Sequence, residues 1–199
     1  MNRSLRIAVA DDEPDMRDYF QTILPTLGHD VAVAARTGRE LVEQCQALNP
    51  DMVITDIKMA DMDGIEAAME ICRTRPVPII LVTAYQNPEL IARAESDHVM
   101  AYLVKPIKQA DLGPAISLAM RRFEQFQTLY KEAADLRQAL EDRKLIERAK
   151  GILMKRAAIG EQEAFRRLNR LARNKNWKLV EIAHRIFSAE EIFQELDKS

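Results

Sequence analysis

The sequence predicts an α/β fold: a doubly wound, five-stranded parallel sheet, followed by a long coiled-coil helix and a small three-helix all-α domain. Three observations predict it. Five short β-branched runs alternate with helical patterns over the first 110 residues, and several of the runs are apolar on both faces, as parallel strands covered on two sides must be. From Pro114 to about Arg156 the pattern is helical, with only Gly151 as a weak breaker. Three short amphipathic helical segments make up the remainder from residue 143, the first at the end of this run and the other two set off by Gly160 and the turn "NKNW". The boundaries this implies are 1–113, 114–142 and 143–199.

The elements of the sheet domain follow in order. The strands are "RIAVA" (6–10), "DVAVAA" (30–35), "MVIT" (52–55), "PIILVT" (78–83) and "AYLV" (101–104). Pro14 opens the first helix and Gly28 ends it, with Pro25 making its last turn irregular. Thr37 and Glu40 form a capping box for the second helix, and Asp63 caps the third. Asn87 followed by Pro88 opens a fourth. In the long helix, Leu112, Ile116, Ala119, Phe123 and Phe126 step by four and three, a coiled-coil seam. The seam shifts to Leu129, Ala133, Leu136 and Leu140. Either this helix packs on its own domain, or it pairs with a second copy. Pairing is expected, because Phe123, Phe126 and Leu129 lie beyond the reach of the sheet and need cover.

Composition sets limits on function. With 47% hydrophobic and 30% charged residues, 199 residues suffice for one large domain or two modest ones with a real core. Residues 1–120 hold 11 Lys and Arg against 18 Asp and Glu, a net of −7, whereas residues 143–185 hold 13 against 4, a net of +9. An acidic first part and a basic second part imply different partners. Cys45 and Cys72 have neither metal-ligand nor CxxC spacing and read as buried thiols of a reducing compartment. The N-terminal apolar run turns acidic too soon for a signal peptide, and no run is long enough to span a bilayer. A cytoplasmic protein is expected. No His or Cys nucleophile pair appears, so a metabolic enzyme is not expected.

The strand ends carry the first chemistry. Asp11 and Asp12 close strand one, Asp56 strand three, Thr83 strand four and Lys105 strand five. In such sheets ligands bind at the carboxyl ends of the strands, so all five converge on one edge. Loop acids of an α/β sheet are often merely solvated, but five matched strand ends are hard to reach by that route. Three carboxylates packed together repel and call for a hard cation with oxygen ligands, which suits Mg²⁺. With a Lys to balance charge and a Thr hydroxyl to bond a ligand oxygen, the set fits phosphoryl transfer to a carboxylate.

On "VADDEPD", "VITDIKMADMDGIE", "LVTAY" and "AYLVKP", residues 4–120 resemble a response-regulator receiver domain. The resemblance implies Asp56 as phosphoacceptor, Asp12 as a direct Mg²⁺ ligand, Asp11 assisting through water, and the Lys58 carbonyl as a further ligand. It implies that Thr83 and Lys105 contact the phosphoryl group and that Tyr102 turns inward on activation; otherwise Tyr102 is an edge aromatic. It also implies a sensor histidine kinase as phosphodonor, with self-catalysed phosphorylation and dephosphorylation as the only chemistry. Two departures stand out: "DHVMAY" before strand five, and "GPAI", whose Gly113 and Pro114 suggest that the last receiver helix begins late.

The basic part carries the second chemistry. Leu145, Ala149, Ile152 and Leu153 share one face of the first segment, with Lys144, Arg148 and Lys155 elsewhere. In the second segment Ala164, Phe165, Leu168, Leu171 and Ala172 face inward and Arg166, Arg170 and Arg173 outward. Six Arg and Lys occupy residues 166–178 with no acid among them, unusual for a plain solvated face. Gly151 in a helix interior costs ~1 kcal/mol relative to Ala, which either a helix break or the close approach of a partner would explain. Trp177 in the turn "NKNW" either packs on the core or offers a base a stacking surface.

Through "AKGIL", "EAF" and "VEIAHRIF", residues 144–187 resemble the ANTAR domain, the RNA-binding output module of antitermination regulators. The resemblance implies binding to paired RNA hairpins in a leader transcript, so that a terminator fails to form. The candidate RNA contacts are Lys144, Arg148, Lys150, Gly151, Arg166, Arg167, Arg170, Arg173 and Lys175. The expected protein is a two-component regulator, phosphorylated on Asp56, whose dimerisation through the coiled coil is promoted by phosphorylation. The alternative is a DNA-binding transcription factor under the same receiver, since three basic helices can mimic a helix-turn-helix.

Overall fold

A computed structural model of the chain describes residues 4–84 and 98–196. Five strands, β1 (Arg6–Ala10), β2 (Asp30–Ala35), β3 (Met52–Asp56), β4 (Ile79–Thr83) and β5 (Val99–Val104), form one parallel sheet in the order β2-β1-β3-β4-β5. β3 and β4 are buried along their whole length, which explains why their sequences do not alternate. The described helices are α1 (Pro14–Thr26), α2 (Gly38–Leu48), α3 (Gly64–Thr74), α4 (Gln109–Ala157), α5 (Glu161–Lys175) and α6 (Leu179–Leu196). The helix expected to open at Asn87 and Pro88 lies outside the described residues.

Local chemistry sets the helix ends. Pro14 sits in the first turn of α1, and Gly28, at φ 84, closes it with its N–H on the Pro25 carbonyl. The Thr37 side chain accepts from Glu40 N, while the Glu40 carboxylate reaches Arg36 N rather than Thr37. Asp63 and Glu66 complete a reciprocal capping box at α3.

Two apolar layers cover the sheet. On one face α2 and α3 contribute Leu41, Val42, Cys45, Ile65, Ala68 and Ile71 against Val53, Ile79 and Leu81. On the other, Phe20 and Leu24 of α1 join Leu112, Ile116, Ala119 and Phe123 of α4 over Ile7, Ile54 and Ile80. Each fully buried side chain of this size contributes ~1.5–3 kcal/mol of transfer free energy.

This second layer corrects the reading of the first seam. Phe123 is 7% exposed and Phe126 packs partly buried against the same cluster, so the stripe of Leu112, Ile116, Ala119 and Phe123 is receiver core, with Phe126 at its margin, and needs no second chain to cover it. It also corrects the helix start. α4 begins at Gln109, with Gly113 and Pro114 inside it. Burial of Leu112 holds the turn before the proline in place, outweighing the one backbone bond that Pro114 cannot donate.

The chain divides into two compact units at Gln127/Thr128, within α4. In the second unit Leu168, Ala172 and Ile182 form a small core, joined by Leu153, Trp177, Leu179 and Ile186. Asn176, at φ 53, ends α5, and Trp177 N donates to Ala172 O. Between residues 128 and 142, Leu129, Leu136 and Leu140 are each more than half exposed. Among the described residues no helix is long and apolar enough to cross a membrane.

Candidate functional site

The carboxyl edge of the sheet gathers the residues singled out in the sequence. Parallel register sets Ala10 beside Thr55, Asp56 beside Val82 and Thr83 beside Val104, so the residues after β1 and at the ends of β3 and β4 share one rim with Lys105. Asp11 is fully buried; Asp56 and Thr83 are nearly so. Asp12 is exposed, and Arg17 pins its loop by donating to the carbonyls of Asp11 (2.7 Å) and Asp12 (3.0 Å).

Lys105 organises the centre. Its Nζ lies 2.7 Å from Asp56 Oδ2, 2.9 Å from Glu13 Oε1 and 2.9 Å from Asp11 Oδ2. Burial pulls the ammonium pKa down, but the carboxylates of Asp56, Glu13 and Asp11 in ion contact with it outweigh this and hold it well above the ordinary lysine value. Burial raises the Asp11 carboxyl, opposed by Lys105 and by the Glu13 N–H that Asp11 Oδ1 accepts at 3.0 Å. Lys58 N donates to Asp56 Oδ1 at 3.3 Å, so the loop after β3 closes on the carboxylate.

A carboxylate oxygen from each of Asp11, Asp12, Glu13 and Asp56 lies within 4.8 Å of the others. Four acids against one lysine leave a large negative excess. Asp11 Oδ2 is buried and has Lys105 in ion contact but no aligned hydrogen bond. This oxygen-only set fits a hard divalent cation. Glu13 was not among the candidate residues. The run "DDE" held the signal, but its third acid reads there only as the residue before a helix-opening proline.

Gly64 explains why the loop can approach so closely. A Cβ there would collide with the Asp56 carbonyl oxygen. Gly38 likewise receives the Met62 carbonyl, and Arg39 bonds Asp61 at 2.9 Å. Tyr102 is 37% exposed on β5, an outward orientation.

The second unit places the basic candidates in two groups. Lys150 is 9% exposed, held by Glu147 at 2.5 Å and Glu161 at 2.8 Å. Arg166 and Arg167 both bond Glu163, and Lys144 bonds Glu141 at 2.7 Å. Arg148 lies over the Phe187 ring at 4.3 Å. Arg170, Arg173 and Lys175 are exposed on α5. Trp177 packs on the small core with Arg185 over its ring at 3.9 Å. A Cβ at Gly151 would meet nothing within 4 Å, so no packing inside the chain accounts for this glycine. It lines a groove of about 400 Å³ with Arg148, Ile152, Lys155 and Phe187.

Comparison with known proteins finds a family for each part of the chain. Residues 7–117 match the response regulator receiver domain and residues 134–186 the ANTAR domain. The transcriptional regulatory protein PdtaR of Mycobacterium tuberculosis is 40% identical over 178 residues, covering 89% of this chain and 87% of that protein. The chemotaxis protein CheY of Thermotoga maritima is 33% identical over 113 residues, 56% of this chain and 94% of its own. Among solved structures, a receiver domain protein from Clostridium thermocellum superposes with a TM-score of 0.55 at 28% identity, covering 60% of this chain and 97% of that one. The chain therefore belongs to the response regulators, with an N-terminal receiver domain and a C-terminal ANTAR domain.

Proposed function

We propose that the chain is a two-component antiterminator: phosphorylation of Asp56 by a sensor histidine kinase controls binding of its ANTAR domain to RNA hairpins in leader transcripts. The observation that carries the first half is Lys105 Nζ at 2.7 Å from Asp56 Oδ2 inside a ring of strand-end acids. An Asp56 oxygen attacks the phosphorus of the donor as the bond to the leaving group breaks. Lys105 neutralises charge on the transferred oxygens and the Thr83 hydroxyl bonds one of them. Asp11, Asp12, Asp56 and the Lys58 carbonyl would hold Mg²⁺, with Glu13 in the same ring; the ion supplies charge neutralisation at the phosphoryl oxygens. Phosphate incorporation into the wild type and Asp56→Ala, with and without Mg²⁺, tests this. Incorporation at the wild-type level in Asp56→Ala ends the assignment.

RNA as the ligand is supported by the +9 charge of residues 143–185, their ANTAR match and the exposed Arg face of α5. Lys144, Arg148, Lys150, Gly151, Arg166, Arg167, Arg170, Arg173 and Lys175 remain the proposed contacts, with Lys150 requiring release from Glu147 and Glu161. Gly151→Leu is informative because the position is open. With helicity unchanged in the variant, lost RNA binding reports a blocked approach. The exposed Leu129, Ala133, Leu136 and Leu140 stripe is proposed to pair with a second copy, presenting two ANTAR domains to two hairpins of one transcript. Titration with hairpin RNA against duplex DNA of equal length and salt decides the ligand. Equal or tighter binding to DNA makes the protein a DNA-binding transcription factor instead.

A further inference from the structure

Residues 143–185 contain four acids, and their positions are informative. Glu147 and Glu161 hold Lys150, Glu163 holds Arg166 and Arg167, and Glu181 accepts from the Lys178 backbone N–H at the start of α6. Three of the four therefore sit on cations of the proposed RNA contact set. Glu163 is the most telling. Its Oε1 accepts from Arg167 Nε at 2.8 Å, and its Oε2 from Arg166 Nε at 2.8 Å and also from Arg166 Nη2. One anionic group thus receives two guanidinium groups, Arg166 through two N–H groups on one oxygen and Arg167 through one N–H on the other, charge-assisted bonds of the kind a phosphate also accepts from arginines. Both bonds hold the carboxyl below its usual range, Arg167 first and Arg166 second.

One turn further along α5 the pattern stops. Arg170 has Arg166 and Arg167 on its N-terminal side and Arg173 and Asn174 on the other, at the three- and four-residue spacings that meet on a helix. Arg173 has Asn169, Arg170, Asn176 and Trp177 at those spacings. The helix therefore offers neither arginine a carboxylate. A single face carries one pair of arginines already occupied by an anion and another pair for which, among the described residues, no ion pair is found.

We propose that Glu163 is a built-in stand-in for phosphate: it holds Arg166 and Arg167 until a correctly placed phosphate displaces it, while Arg170, Arg173 and Lys175 make the first, unselective contact. This rests on the RNA reading and adds a specificity-determining residue to it. Any polyanion can meet Arg170 and Arg173. Only a ligand whose backbone also reaches Arg166 and Arg167 recovers the interaction that Glu163 gives up, so the carboxylate works against loosely fitting anions.

The test uses the full chain, titrated with hairpin RNA and with heparin over a range of salt. Glu163→Gln keeps the shape and removes the charge, and unchanged helicity confirms the fold. It should tighten heparin binding by about threefold to tenfold, the range expected for two surface ion pairs plus one removed repulsion. Hairpin binding should tighten less, so that selectivity falls. Arg166→Ala with Arg167→Ala should weaken heparin binding little in the wild type and strongly in Glu163→Gln. The slope of log affinity against log salt should steepen by about one to two units in Glu163→Gln as the two arginines become available. Heparin binding no tighter in Glu163→Gln, or the same loss from the arginine pair in both backgrounds, overturns the proposal. Wild-type protein that prefers duplex DNA to hairpin RNA defeats the RNA reading alone, because the heparin comparison still decides the role of Glu163.

Discussion

At Gly64 a single missing methyl group sets the geometry of the acidic site. The glycine lets the start of α3 lie against the Asp56 carbonyl, and Gly64 N–H donates to Ile57 O at 2.9 Å. Gly64→Ala should cost about 2 kcal/mol or more in urea unfolding, because the neighbour it meets is backbone and cannot rotate away. Lys105→Ala should lower phosphate incorporation far more than Lys108→Ala, since only Lys105 reaches Asp56. His29 offers a pH test away from the site. It is 5% exposed, its Nδ1 accepts from Leu5 N at 3.3 Å, and burial lowers its pKa from 6.5 against the pull of Asp30. The unfolded chain then binds more protons than the native one as pH falls through 6.5. Stability should therefore drop on acidification, by at most about 1.4 kcal/mol per pH unit for one proton. Urea unfolding of His29→Gln at neutral and mildly acid pH should lack this component. The strand-end residues Asp11, Asp12, Asp56, Thr83 and Lys105 were legible in the sequence because each continuous apolar, β-branched run shows where its strand ends. Glu13 was not, because its role depends on Lys105, distant in sequence, folding back over it.

At the scale of elements, α4 shows where periodicity misleads. The stripe from Leu112 to Phe126 reads as a coiled-coil seam, and the same spacing serves a helix laid on a sheet. Only burial separates the two, and burial places this stripe in the receiver core. Phe123→Glu should therefore destabilise the receiver by about 3 kcal/mol or more, the scale of losing a buried aromatic, in monomeric as well as associated protein. Leu136→Glu with Leu140→Glu should leave the thermal unfolding of the monomer unchanged and abolish any dimer seen in sedimentation, because both side chains are exposed within the chain. The remaining elements were legible for local reasons. Asp63 announces the start of α3, and continuous apolar runs announce β3 and β4. The start of β5 at Val99, two residues before the expected "AYLV", was not, because Val99 gains its place by pairing with Ile79.

Across the whole molecule, charge and compactness divide the chain in the same way. The acidic receiver and the basic ANTAR domain each have their own core, and the division falls inside one helix. Calorimetry should resolve two transitions, with Mg²⁺ raising only the one that belongs to the receiver. A free ion at a hundred times its dissociation constant should add about 2.7 kcal/mol to that transition. A shift of both transitions, or of neither, would count against a cation site confined to the strand ends. The three-helix unit has a core of few large side chains, so it should be the first to melt.

The two cysteines give this scaffold an internal clock. Cys45 is buried between α2 and the sheet, and burial pushes its thiol up to about 12; Cys72, half-buried on α3, is raised for the same reason. At neutral pH the native Cys45 thiolate fraction is on the order of 10⁻⁵, so alkylating reagents have almost nothing to react with until that layer opens. The rate of Cys45 alkylation therefore counts openings of the α2–α3 layer in untreated, full-length protein. Comparing that rate before and after phosphorylation shows directly whether modifying Asp56 tightens or loosens the layer on which Gly64 rests.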